Sequence, residues 1–270
     1  MATFESYRSY WNFAYTIRVK SRYAILPEVT DFLSRLGKRL DDDPALLQKG
    51  TKLCRAQLGN DYEPLEDDKG EAVDQMPCAF GPARMKPLSD RAKEGRVNPR
   101  GIPCLYLSTD RETSISEVRP SKGQFVSLGY FEAIKDCRLA NFTVERNRKI
   151  VYFAEPPDDK IDNLVLGDLA DAFSRPVEID DSTAEYAPTQ VIAEYVRKLG
   201  YDGIHYRSDL GPGMNIALFD LDAADLRACD LYMIDGIKYS FFQADNTYFV
   251  KSGGTPGSAG EPSGPNEGVE

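Results

Sequence analysis

A turn-rich run, Gly95-Arg96-Val97-Asn98-Pro99-Arg100-Gly101, leads into the short apolar stretch Leu105-Tyr106-Leu107-Ser108. Eleven positions after Tyr106 comes Glu117, inside Ser116-Glu117-Val118-Arg119-Pro120. The pair offers a flat, electron-rich face and a fixed negative charge. The Gly and Pro residues around it are suited to holding a strand and a helical turn in set relation. Cations and a hydroxyl stand elsewhere in the chain to complete the set: Arg55, Arg96, Arg119 and Ser208. Residues of these types, gathered in one place, would bind and polarise a small charged molecule.

Regular elements must carry those residues to one another. Thr51 to Leu58 reads as a strand containing Arg55, and Leu105 to Ser108 as the strand of Tyr106. Gly123 to Phe131 and Arg138 to Phe142 are further strand candidates, and Lys149 to Phe153 is a third. Leu164, Leu166, Leu169 and Phe173 predict a helix over 161–173 that closes before Pro176. Pro188 to Leu199 is the clearest helix. Proline suits its first turn, Val191, Ile192, Tyr195, Val196 and Leu199 make one apolar face, and Gly200 sits where a left-handed cap belongs. Tyr201 to Ser208 and Met214 to Phe219 then predict two strands joined through Gly211-Pro212-Gly213, which can form a hairpin. The interval 59–80 is acidic and turn-like and predicts a surface loop. Residues 230–244 predict a last strand or pair.

At the start, Phe4, Tyr7, Trp11, Ala14 and Ile17 recur at three- and four-residue steps and predict an amphipathic helix over about 4–23. Pro27 is expected to interrupt, with Thr30-Asp31 capping a second helix through Phe32, Leu33 and Leu36. This gives three parts: an N-terminal helical segment (1–50), a main domain (51–250), and a Gly/Pro/Ser-rich tail (251–270) expected to be disordered. The first part is expected to pack on the second; an oligomer or partner surface is the alternative. Strands and helices that do not alternate regularly favour an α+β fold over a doubly wound one.

Composition narrows the functions. The chain has 270 residues and a formal charge of -10. Residues 1–50 hold 8 Lys+Arg against 6 Asp+Glu, or +2, which leaves -12 on the rest. An acidic body disfavours direct grip on nucleic acid or anionic lipid but tolerates a basic pocket for a small anion. Five cysteines without a C-x-x-C pair, and a single His205, argue against a metal site and for a reducing, cytoplasmic setting. No apolar run approaches a membrane-spanning length. Neither a Rossmann glycine fingerprint nor a P-loop is present.

Six segments follow one another in a telling order: Lys52-Leu53-Cys54-Arg55-Ala56-Gln57, Gly95-Arg96-x-Asn98-x-x-Gly101, Leu105-Tyr106-Leu107-Ser108, Thr113-x-x-x-Glu117-Val118-Arg119-Pro120, Pro188-Thr189-Gln190 and Asp202-Gly203-Ile204-x-Tyr206-Arg207-Ser208. Over about residues 50–245 the chain resembles the RES-domain family, named for an Arg, a Glu and a Ser. The resemblance implies an ADP-ribosyltransferase-like mixed sheet flanked by helices, with NAD as substrate and no separate cofactor or metal. It implies a toxin of a toxin–antitoxin system that degrades NAD at the nicotinamide–ribose bond, as a glycohydrolase or phosphorylase. Its partner would be an Xre-type helix-turn-helix antitoxin.

The family's named residues fall on Arg55, Glu117 and Ser208, with Tyr106 at the associated aromatic position. In that setting Arg55 would bind the diphosphate, with Arg96 and Arg119 as secondary anion binders, or Arg119 pairing with Glu117. Tyr106 would stack on the cationic nicotinamide. Glu117 would stabilise the oxocarbenium-like ribose, and Ser208 would orient the ribose or carboxamide. Taken singly, Arg55 reads as readily as a rim residue, Tyr106 as a core aromatic and Ser208 as a strand end; in family order the joint site reading prevails. Transfer of ADP-ribose to a protein remains the alternative enzyme, and an inactive nucleotide- or partner-binding module the alternative outside catalysis. The N-terminal segment and the interval 132–185 depart from compact members. They are expected to cover the pocket, recognise a target or bind an inhibitor.

Overall fold

The computed structural model describes residues 3–88, 92–144, 155–176 and 183–244. Residues 1–237 form one compact unit; of a second, 238–270, the described stretch 238–244 carries no helix or strand. The predicted strand at 149–153 and the tail at 251–270 lie outside the described residues.

The chain folds as α+β. Its centre is an eight-stranded sheet in the order β1 (Ala45–Leu47), β7 (Cys137–Phe142), β8 (Gly203–Arg207), β9 (Met214–Leu218), β5 (Leu105–Ser108), β2 (Lys52–Leu58), β6 (Phe125–Ala133) and β10 (Ala224–Met233). All pairs are antiparallel except β7–β8. That parallel pair needs a crossover, supplied by α5 (Asp158–Ser174) and α6 (Ala187–Lys198). The described residues of the interval 132–185 thus belong largely to the core: they include the end of β6, all of β7 and α5, whose Val165, Leu169 and Phe173 are buried. The expectation of an appended cover is corrected to that extent.

Side chains alternate across the sheet, so Tyr106 faces the helical layer while Leu105 and Leu107 face the opposite cluster with Leu53, Phe131 and Leu218. Helices α1 (Ser9–Tyr15) and α2 (Pro27–Asp42) enter the same core as α5 and α6 through Phe13, Phe32 and Leu36, and Ile17, just past α1, joins them. The N-terminal stripe differs from the expected one. Tyr10, Phe13, Ala14 and Ile17 are buried, and Trp11 lies on the rim with its indole N–H donating to Asp168 Oδ2 at 2.9 Å. A π-helical turn, Thr16–Lys20, extends α1 and shifts the period. Pro27 opens α2 rather than interrupting, because a first-turn residue needs no N–H partner.

The expected loop at 59–80 is a hairpin of β3 (Asp61–Glu66) and β4 (Ala72–Cys78). Nearly all its side chains are exposed on both faces, so no apolar alternation marks the strands. Its turn is legible in retrospect: Asp67 accepts from the amides of Lys69 and Glu71, and Gly70 takes φ +78°. Other expectations hold closely. Gly200 caps α6 at φ +85°, and β8 and β9 form the hairpin across Gly211-Pro212-Gly213. The expected last strand or pair at 230–244 is corrected: one strand, β10, runs from Ala224 to Met233, and 234–244 carries no element. Among the described residues no helix is long and apolar enough to cross a membrane, and no His, Cys, Asp or Glu group is arranged to hold a metal. The five cysteines are free thiols.

Candidate functional site

The sheet is discontinuous where β2 meets β5. Their register consists of one pair, Cys54 with Ser108, whereas β2 joins β6 over Lys52 to Leu58. Beyond that pair the strands no longer bond to each other, and a cleft of about 260 Å³ is lined from both by Arg55, Tyr106 and Ser108, together with Glu117, Tyr206 and Asn215. Arg55 crosses the gap: its Nη1 donates to the Tyr106 carbonyl at 3.0 Å. Its Nε is buried with no partner, and among the described residues no carboxylate pairs with it. Burial pushes its pKa below the ordinary guanidinium value. This is a half-buried cation left short of an anion.

Tyr106 is held by the Gly95–Asn98 turn. Its hydroxyl donates to Asn98 Oδ1 at 2.7 Å and accepts from the Val97 amide at 2.9 Å. Burial raises its pKa well above the phenol norm, so it stays a neutral donor. Asn98, 2% exposed, spends its amide on the carbonyls of Lys93, Pro99 and Ile102. A Cβ on Gly95 would stand 2.6 Å from the Tyr106 hydroxyl, so this position has no room for a side chain. The Pro188-Thr189-Gln190 motif fastens the same turn: Thr189 Oγ1 donates to the Arg96 carbonyl at 2.8 Å and Gln190 Nε2 to that of Gly95 at 2.9 Å. A motif at the start of α6 therefore sets an aromatic ring on β5.

Glu117 is the last residue of α4 (Arg111–Glu117). Asp110 caps this helix, accepting from the Thr113 amide and hydroxyl at 2.8 Å each. Burial would raise the Asp110 pKa, but those bonds hold it below the usual carboxylate range. Thr113 Oγ1 also accepts from the Gly213 amide at 2.8 Å, and a Cβ on Gly213 would fall 1.8 Å from Asp110 Oδ2. The β8–β9 turn is thus docked directly on the start of α4. This brings Ser208 to Glu117: Oγ donates to Oε1 at 2.6 Å and accepts from the amides of Leu210 and Gly211.

Arg55, Tyr106, Glu117 and Ser208 therefore converge, though Ser208 spends its proton on Glu117. Arg96 does not join them. Its guanidinium donates to the carbonyls of Ala172 and Arg175 at the end of α5, where helical carbonyls lack partners. Arg119 is exposed just past α4, at φ 47°, a left-handed position that ends the helix. The bonds that fix Glu117 come from Ser208 and Asn215.

Two features were missed in the sequence. Asn215 is 5% exposed and donates to Glu117 Oε1 at 2.6 Å; a polar residue amid Met214, Ile216 and Leu218 was its only signal. A second opening of about 550 Å³ shares Arg55 and Tyr106 with the cleft and adds Arg84, Lys86 and Lys93. These cations lie in stretches that read as ordinary loop.

The RES domain family model matches residues 78–240, more than half of the chain, and leaves Arg55 outside the matched range. The curated proteins contain no match to the chain. Among solved structures it is similar to a chain in a crystal structure of the M.tuberculosis MbcT-MbcA toxin-antitoxin complex. The two share 14% identity, over 73% of this chain and 92% of that one, with a TM-score of 0.38.

Proposed function

This chain belongs to the RES-domain family, and from that membership and the chemistry of the cleft we propose that it is the toxin of a toxin–antitoxin system that cleaves NAD at the nicotinamide–ribose bond. The observation that carries the reading is that a half-buried Arg55, whose Nε has no partner, and a hydrogen-bonded Glu117 line one cleft at the break in the sheet.

An NAD molecule suits this polarity. Its diphosphate supplies the anion that Arg55 lacks, with Arg84, Lys86 and Lys93 further along the opening. The nicotinamide, a flat cation, faces Tyr106. As the N-glycosidic bond lengthens, positive charge builds on the ribose, and Glu117 stabilises it while nicotinamide leaves as a neutral molecule. Ser208 keeps the carboxylate aimed. The activity belongs in the cytoplasm, where NAD is the dissolved substrate, and an Xre-type antitoxin would restrain it.

Incubating the purified protein with NAD, with and without phosphate, tests this by chromatography of the products. Nicotinamide release without any added protein is the expected outcome. Release only when a protein acceptor is present would replace the reading with ADP-ribosyl transfer.

A further inference from the structure

Glu117 stands at an unfavourable address. It terminates α4, where the helix carbonyls concentrate negative potential, and its side chain is exposed at the mouth of the cleft. An exposed carboxylate there is held in a single rotamer only if donors are brought to it. Two are, and both reach the same oxygen: Ser208 Oγ and Asn215 Nδ2 each lie 2.6 Å from Oε1. Among the described residues no hydrogen bond reaches Oε2.

Asn215 is the less expected of the two donors. It sits within β9 at a position paired with Ser108 on one side and Tyr206 on the other. Burying an amide in a strand is costly unless both its ends are satisfied. Both are. Ser108 Oγ donates to Oδ1 at 2.8 Å, which leaves Nδ2 for Glu117; with the amide reversed, Oδ1 would face the carboxylate and repel it. Ser108, itself 4% exposed, lies at the one register pair joining β2 to β5, where the cleft begins. The chain Ser108–Asn215–Glu117 thus links the break in the sheet to the carboxylate through bonds that run in one direction.

We propose that Asn215, with its amide oriented by Ser108, is a positioning residue that pins Glu117 through Oε1 and leaves Oε2 as the oxygen that meets the substrate. Ser208 shares that task from the end of β8. The inference rests on the NAD-cleaving reading for its consequence, but the geometry it claims can be tested without turnover.

The decisive variant is Asn215→Asp, which keeps the shape and the Ser108 acceptor while replacing the donor with a second negative charge. In a wild type that cleaves NAD, kcat is expected to fall about a hundredfold, well beyond any rise in KM that the added charge in the cleft brings, since it is the carboxylate that is misplaced. Ser108→Ala is expected to give a smaller fall of the same kind. Unchanged kcat in a folded Asn215→Asp protein, or a loss confined to KM, overturns the proposal. If the wild type releases no nicotinamide, the functional reading fails first, and thermal unfolding then decides the positioning claim. Asn215→Asp should lower Tm, and adding Glu117→Gln should restore it, because the new amide can donate to the new carboxylate. No recovery in the double variant overturns the claim.

Discussion

Arg55 and Glu117 line the same cleft and are held in opposite ways. The carboxylate has its bonds made for it, with two donors on Oε1 that are themselves anchored by backbone amides and by Ser108. The guanidinium is half-buried, has one bond to a backbone carbonyl, and keeps a buried, unmatched Nε. On the proposed reaction, the difference separates a residue that must be aimed from one that must be left short of partners. A group acting on a developing charge needs fixed geometry, whereas a group that binds a permanent anion gains by being poorly satisfied beforehand.

Three substitutions would break or sharpen that contrast. The largest effect is expected from Glu117→Gln. It keeps the shape, removes the charge, and should lower the rate of nicotinamide release by about a hundredfold or more with little change in NAD binding. Single-turnover kinetics beside a binding isotherm checks this, and a loss of binding equal to the loss of rate would remove Glu117 from the reacting end. Next comes Arg55→Leu, with effects of opposite sign on function and stability. NAD affinity should fall by about tenfold or more, because a charge-assisted bond to phosphate is lost. Stability should rise by roughly 1 kcal/mol or more, because a buried charge without an ionic partner is replaced by an apolar side chain. Calorimetry of binding and denaturant unfolding measure the two; a destabilised variant would mean that Arg55 is satisfied in the free protein. The smallest functional effect belongs to Tyr106→Phe. The ring face survives, so turnover should change by less than about tenfold, while losing the Asn98 and Val97 bonds should cost about 1–3 kcal/mol of stability. The unfolding midpoint reports it, and an unchanged midpoint would detach Tyr106 from the 95–98 turn.

Much of this was legible beforehand. The strands of Arg55 and Tyr106, the capped helix before Gly200 and the β8–β9 hairpin all carry strong local signals: alternation, a proline in the first turn, a glycine at positive φ. The strands of the hairpin at 61–78 carry none, because they bury neither face and so have no apolar period to show; only the Asp67–Gly70 turn is marked. Pro27 misled because proline marks a helix start as well as a break. Arg55 and Arg96 both read in the sequence as anion binders, the first as the family's named residue and the second as a secondary one, and their partners separated them.

By itself the sequence determined which residue types stand in which order, since family motifs and helix caps are local facts written in a few consecutive residues. It could not determine that Thr189 and Gln190 fasten the turn beneath Tyr106, that Asn215 holds Glu117, or that Arg96 is spent on the end of α5. Each of these joins residues that are close only after the sheet has formed. Hydrogen-bond partners across such separations are chosen by packing, and only the tertiary structure brings them within reach.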